Sequence, residues 1–161
     1  TVLAQAGSSA PGTVRGVASG IYKGRSYCAV VADVLIAADG SPMVTGMWCT
    51  HDCGQVINPD QVRAQCEGNM VWGIGMVLSD RLQVLDGAVT ATDFADAPIP
   101  AMSDVPPIQV ALLDGGGPPA GAGETVIVAA AAAIANAIRQ ATGYRPRHLP
   151  VSAEELQGRS A

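Results

Sequence analysis

Five consecutive alanines, Ala129 to Ala133, follow a glycine-rich turn and dictate much of what this chain can become. Alanine is the strongest helix former, so the segment from about Thr125 to Thr142 is predicted as a helix. Gly143 and then Pro146 supply its stop. A helix with such short side chains buries little surface unless its neighbours come very close. The run therefore demands a thin helix packed tightly on several sides.

Three β-rich runs precede it, at Val14–Tyr22, Tyr27–Ala37 and Met43–Cys53. Turns at Lys23-Gly24 and Asp39-Gly40-Ser41-Pro42 separate them, which suggests an antiparallel meander. Their apolar character on both faces requires cover on both sides. Asn58-Pro59-Asp60 then opens a helix with a capping residue, a proline at the first position and an acid in the first turn. Val62, Cys66, Met70, Ile74 and Val77 form its core stripe, while Gln65 and Asn69 share another face. Gly68, Gly73 and Gly75 each weaken this helix by roughly 1 kcal/mol relative to alanine, a cost that implies close approach of a backbone or a ligand. Leu82–Thr92 reads as a hairpin around Asp86-Gly87, Phe94–Pro107 as an irregular proline-rich strap, and Ile108–Leu113 as a last strand.

The fold class is α+β, with antiparallel strands and two main helices. Residues 1–12 read as a linker or ragged start, 13–152 as one folded unit and 153–161 as a tail. Only 14% of the 161 residues are charged against 48% apolar, so much of the surface is expected to face another polypeptide. The absence of an initiator methionine fits either a trimmed chain or the C-terminal piece of a longer one, and the low charge favours the second. A net charge of −5 without a Lys/Arg cluster argues against nucleic acid. No apolar run suggests a transmembrane segment.

Cys28, Cys49, Cys53 and Cys66 have no zinc or iron–sulfur spacing. On one strand Cys49 and Cys53 stand roughly 13 Å apart, too far for a disulfide. Cys49, His51 and Cys53 alternate onto one face, as ligands or as a buried face with a satisfied histidine. We expect the latter, with reduced, structural thiols. Asp52 and Glu67 read as ion-paired or capping residues.

Glu124 is the residue expected to carry chemistry. It lies in Gly121-Ala122-Gly123-Glu124-Thr125, at the start of the alanine-rich helix. Helix N–H groups and the positive end of the helix dipole would hold its carboxylate ionised, while the glycines admit a large ligand. A phosphate-loop alignment fails, because Pro118 falls where the first glycine belongs and Glu124 where the lysine belongs. The turn also lacks the following strand and acid of a dinucleotide fold. Neither His51 nor His148 has a G-x-S-x-G partner motif.

Two blocks carry a family resemblance. His51 to Pro59, continuing through Val62-Arg63-Ala64-Gln65-Cys66-Glu67-Gly68, resembles the DCG-x-x-x-NP…V-x-x-Q-x-EG block of the xanthine oxidase/aldehyde oxidoreductase group of molybdenum hydroxylases. Gly121–Thr125, with Ala135–Ile138 and Arg147–Pro150, resembles that group's C-terminal active-site block. The wording is similar to the isoquinoline 1-oxidoreductase type, and the match runs from about Gly16 to Val151. The resemblance implies the C-terminal part of a molybdopterin-binding subunit in a bacterial enzyme that oxidises aldehydes or N-heteroaromatic compounds.

By position, it implies Glu124 as the general base that takes a proton from the metal-bound hydroxyl. Gln65 would hydrogen-bond the pterin, with Gly68, Gly121, Ala122 and Gly123 against the cofactor. The cofactor would be molybdenum–molybdopterin, as such or in its cytosine dinucleotide form, and no protein side chain would ligate the metal. Implied partners are the remainder of the subunit, an iron–sulfur subunit, a cytochrome or flavin electron-transfer subunit and a small-molecule substrate. Activity would exist only in that complex, with the periplasm slightly favoured over the cytoplasm. A catalytically silent cofactor-binding or assembly fragment, or a structural module, is the alternative. Thr125 replaces the proline that many relatives carry after the glutamate; carbon monoxide dehydrogenase-like members have serine there. The substrate class stays open.

Overall fold

The computed structural model describes residues 1–158. Three antiparallel strands run as a meander: β1 (Val14–Tyr22), β2 (Ser26–Ile36) and β3 (Pro42–Asp52). Helix α2 (Pro59–Leu78) follows; Asn58 caps it by accepting the Gln61 N–H at 3.1 Å. Next come a two-stranded hairpin of β4 (Val84–Leu85) and β5 (Ala88–Val89), then a single 3₁₀ turn at Met102–Asp104. Strand β6 (Ile108–Leu113) joins the edge of β3 in parallel, giving the order β1-β2-β3-β6. The meander is antiparallel as expected, and β6, whose direction the sequence left open, makes the sheet mixed. A chain returning through a long helix re-enters the sheet running in the same direction.

Helix α3 (Thr125–Thr142) crosses this sheet beside α2 and ends on Gly143, whose φ of 74° permits the left-handed cap. Cys28, Val30 and Ala32 of β2 pair with His51, Cys49 and Met47 of β3, so all six point to the face that the two helices cover. Cys66, Met70, Ile74 and Val77 of α2 and Val126, Ile134 and Ile138 of α3 complete the core. Each fully buried side chain of this size contributes roughly 1.5–3 kcal/mol. By length and composition alone α3 would suffice to cross a membrane, but its eight buried residues form the centre of this core.

The alanine run does what its size requires. A Cβ on Gly16 of β1 would collide with the Ala133 carbonyl oxygen, and one on Gly73 of α2 would stand 2.7 Å from the Ala130 Cβ. Strand and helix both reach the α3 backbone because glycine faces alanine. Gly73 is therefore explained by a neighbouring backbone, and Gly75 by its contact with the Asp80 carboxylate. Gly68 faces open space.

Both chain ends carry a short helix. Residues 1–12 contain α1 (Val2–Ala6), which lays Val2 and Ala6 on Val31, Ala29 and Trp48 and so covers the second face of the sheet. Spacing of i and i+4 puts these two apolar residues on one side of a single helical turn. Within 153–161, helix α4 (Ala153–Gln157) is held by a Ser152–Glu155 capping box and buries Leu156. Residues 159–161 of that tail lie outside the described residues.

Candidate functional site

The two sequence blocks, far apart in the chain, lie side by side. Gln55 donates its N–H to the Gly117 carbonyl at 2.9 Å, and Ala120 donates to the Cys53 carbonyl at 2.8 Å. Gly54, at φ 70°, leaves no room for a Cβ against the Pro118 carbonyl. Asp52 accepts the Gly54 N–H at 2.9 Å and so shapes this loop; among the described residues it is neither ion-paired nor a helix cap. Ser26 on β2 donates its hydroxyl to the Gly121 carbonyl at 2.5 Å. The glycine-rich turn is thereby pinned to the C-terminal end of β3 and the start of β2.

Helix α2 reaches the same turn through Asn69. Its Nδ2 donates to the Gly123 carbonyl at 2.8 Å and to the Gln65 carbonyl at 2.7 Å, while its Oδ1 accepts the Ile127 N–H at 3.0 Å. One turn earlier, the Gln65 amide lies 3.7 Å from where a Gly123 Cβ would stand. Gln65, Gly121, Gly123 and Glu124 are thus gathered on one exposed surface, with Ala122 half-buried between the two glycines. Gly68 sits three residues beyond Gln65 on α2, exposed and with nothing against it. Gln65 thus adjoins the turn that leads into Glu124, and Gly68 is related to it only by its place one helical turn along α2.

Glu124 itself departs from expectation. It is the N-cap residue of α3, at φ −130° and ψ −3°, yet its side chain makes no capping hydrogen bond. The N–H of the third helical residue, Ile127, goes to the neighbouring Asn69 instead. The exposed Glu124 instead lines an apolar cleft of about 260 Å³ with Ile21, Tyr22, Trp72, Thr125, Ile127 and Val128. Trp72 was not singled out in the sequence, although its seven-residue spacing from Gln65 puts both on one side of α2. Asn69 carried a signal too, as a poor helix former in a helix interior.

The cysteines are all buried and free. Burial pushes the Cys28 thiol up to about 11. The Cys49 thiol is raised by its hydrogen bond to Cys66 and by burial, and Cys66 is lowered by the same bond. His51 is 1% exposed, and neither ring nitrogen has a partner in hydrogen-bond geometry among the described residues. The expected satisfied histidine is therefore not found. Burial lowers its pKa, opposed by the nearby Tyr27 carbonyl and Asp52 carboxylate. Among the described residues no group of three or more His, Cys, Asp or Glu side chains can hold a metal ion.

Comparison with known proteins gives a consistent result. The sequence model of the family described as Molybdopterin cofactor-binding domain matches residues 8–106. A subunit of nicotinate dehydrogenase from Pseudomonas putida is 38% identical over 136 residues, which cover 83% of this chain and 12% of that protein. The beta subunit of isoquinoline 1-oxidoreductase from Brevundimonas diminuta is 35% identical over 127 residues, covering 78% of this chain and 16% of the relative. Among solved structures, quinoline 2-oxidoreductase from Pseudomonas putida superposes with a TM-score of 0.76 at 28% identity, over 84% of this chain and 18% of that one. Aldehyde oxidoreductase from Desulfovibrio desulfuricans gives 0.73 at 30% identity, over 83% and 15%. The chain thus spans under a fifth of the length of these relatives.

Proposed function

Because this chain belongs to the molybdopterin cofactor-binding domain family, within the xanthine oxidase group of molybdenum-dependent oxidoreductases, we propose that it is part of the catalytic subunit of a molybdenum hydroxylase acting on an aldehyde or N-heteroaromatic substrate. One observation carries this reading. Glu124 and Gln65, both exposed and without side-chain hydrogen-bond partners among the described residues, flank Gly123: it immediately precedes Glu124, and the Gln65 amide lies 3.7 Å from where its Cβ would stand.

The residues present suit a pterin cofactor. A Cβ on Gly68 or Gly121 would meet nothing of this chain, and one on Gly123 would meet only Gln65. Such a floor lets a large planar group lie against the backbone. The Gln65 carboxamide offers both a donor and an acceptor to the polar edge of a pterin. When bound, the molybdenum cofactor supplies the centre that takes up two electrons from the substrate.

Glu124 is the base in this reading. A carboxylate oxygen accepts the proton released as an oxygen nucleophile adds to the electron-poor carbon of the substrate. Ile21, Trp72 and Val128, on the walls of the adjoining cleft, give a flat apolar substrate a surface beside the carboxylate. This chain supplies only part of the pocket, and the remainder of the subunit closes it. Exposed Phe94, Ile99 and Met102 on the strap offer apolar contact area for that remainder. Iron–sulfur clusters on a partner chain take the electrons onward, followed by a cytochrome or flavin subunit.

Glu124→Gln in the complete enzyme tests the assignment. The amide keeps the shape and removes the base, so turnover should fall by about a hundredfold to ten-thousandfold at unchanged molybdenum content. Turnover within a few fold of wild type, with molybdenum intact, would leave this chain as a silent cofactor-binding piece.

A further inference from the structure

We propose that Asn69 is a positioning residue for Glu124: its side-chain amide caps α3 from the neighbouring helix, and this leaves the Glu124 carboxylate free to act as the base. The proposal rests on the reading of Glu124 as that base.

An N-cap residue ordinarily turns its own side-chain oxygen onto the N–H of the second or third helical residue. Glu124 holds the N-cap position of α3 and makes no such bond. Ile127, the third helical residue, donates its N–H to Asn69 Oδ1 at 3.0 Å instead. The same amide donates to the carbonyl of Gly123, immediately before Glu124, at 2.8 Å. Backbone on both sides of Glu124 is therefore tied to a single side chain. That side chain is 5% exposed, and hydrogen bonds in such surroundings are strong and costly to lose.

Asparagine suits this task in its chemistry. A carboxamide carries an acceptor and two donors, and here all are used: Ile127 fills the oxygen, Gly123 and Gln65 carbonyls the nitrogen. Aspartate would keep the acceptor and lose both donors, and alanine would lose everything. With Asn69 gone, the Ile127 N–H lacks a partner, and the carboxylate within shortest reach is that of Glu124 itself. Glu124 would then revert to an ordinary cap and turn away from the substrate. Asn69 also bonds the Gln65 carbonyl, so one side chain fixes the base relative to the residue proposed to hold the pterin.

The test uses the complete, cofactor-loaded enzyme with Asn69→Ala, Glu124→Gln and the double variant. Steady-state turnover gives kcat and KM, and single-turnover reduction of the enzyme by substrate extends the comparison to variants whose turnover is slow. Asn69→Ala should lower kcat by about tenfold to a hundredfold, the scale of a misplaced catalytic group. KM should stay within about twofold, and molybdenum and pterin content should be unchanged. In the Glu124→Gln background Asn69→Ala should add no further loss. Wild-type kcat in Asn69→Ala, with Glu124→Gln inactive, overturns this proposal and leaves the base in place. Equal losses in both backgrounds also overturn it, since Asn69 would then act independently of Glu124. Wild-type turnover in Glu124→Gln overturns the base and the proposal together. If Asn69→Ala fails to load cofactor, Asn69→Leu carries the same test, because it keeps the volume and removes the acceptor for the Ile127 N–H: it should lose kcat at constant KM, and a fully active Asn69→Leu enzyme overturns the proposal.

Discussion

Gly16 of β1 lies directly against the Ala133 carbonyl of α3, with the Ala137 Cα 3.0 Å from where a Cβ on residue 16 would stand. The obstacle is backbone on every side, and backbone cannot rotate aside. Gly16→Ala should therefore push strand and helix apart and destabilise the fold by about 1–3 kcal/mol or more. Thermal unfolding should show a lower Tm, and an unchanged Tm would mean that the helix sits farther from the sheet.

Gly68 is the opposite case. It lies in the interior of α2, and a Cβ there would meet nothing. Gly68→Ala should stabilise the isolated fold by roughly 0.5–1 kcal/mol through helix propensity alone. Gly68→Leu should fold equally well but carry less molybdenum and pterin in the complete enzyme, because its side chain would occupy the surface proposed for the cofactor. Metal analysis of purified enzyme checks this, and full loading of Gly68→Leu would remove Gly68 from the cofactor surface.

His51 should make the fold sensitive to acid. Its folded pKa is lowered by burial below the ordinary 6.5, so the unfolded chain binds the proton more readily. Stability is then fully present above about pH 6.5 and is lost as pH falls below it towards the folded pKa, by at most about 1.4 kcal/mol per pH unit. Urea unfolding at pH 5 and pH 7 should show the difference. His51→Leu should flatten it at little cost near neutrality, since both ring nitrogens already lack partners among the described residues.

The four thiols should be silent in the folded protein. Cys49 and Cys66 are wholly inaccessible, Cys28 is raised to about 11, and all four are buried. Thiol titration with an aromatic disulfide at pH 8 should detect almost none in the native chain and four after denaturation. Rapid native labelling would show that the layer between sheet and helices opens readily.

Much of this architecture was legible in the sequence because its signals are local. Asn58-Pro59 starts α2 where the cap bond and proline geometry require it, and Gly143 ends α3 where a left-handed residue is needed. The core stripe of α2 and the three-strand meander followed from periodicities of four and two. The parallel placement of β6 was not legible, because nothing in Ile108–Leu113 names β3 as its partner or sets the direction. The short α1 was missed because two apolar residues among small ones make no periodic pattern until a sheet face needs covering.

The site divides along the same line. Residue identities and spacing picked out Glu124 and the glycines before it and implied that something large approaches the turn, while the family resemblance added Gln65 and Gly68. Tertiary structure decided how Glu124 is held. From the sequence it reads as a carboxylate bound by its own helix; in the fold Asn69 performs that capping from α2 and Glu124 is left unengaged. A cap within one helix acts over three residues and can be read from order in the chain. A bond between Asn69 and Ile127 spans 58 residues, and it exists only because Gly73 and Ala130 allow α2 and α3 to pack closely enough for an amide to cross between them.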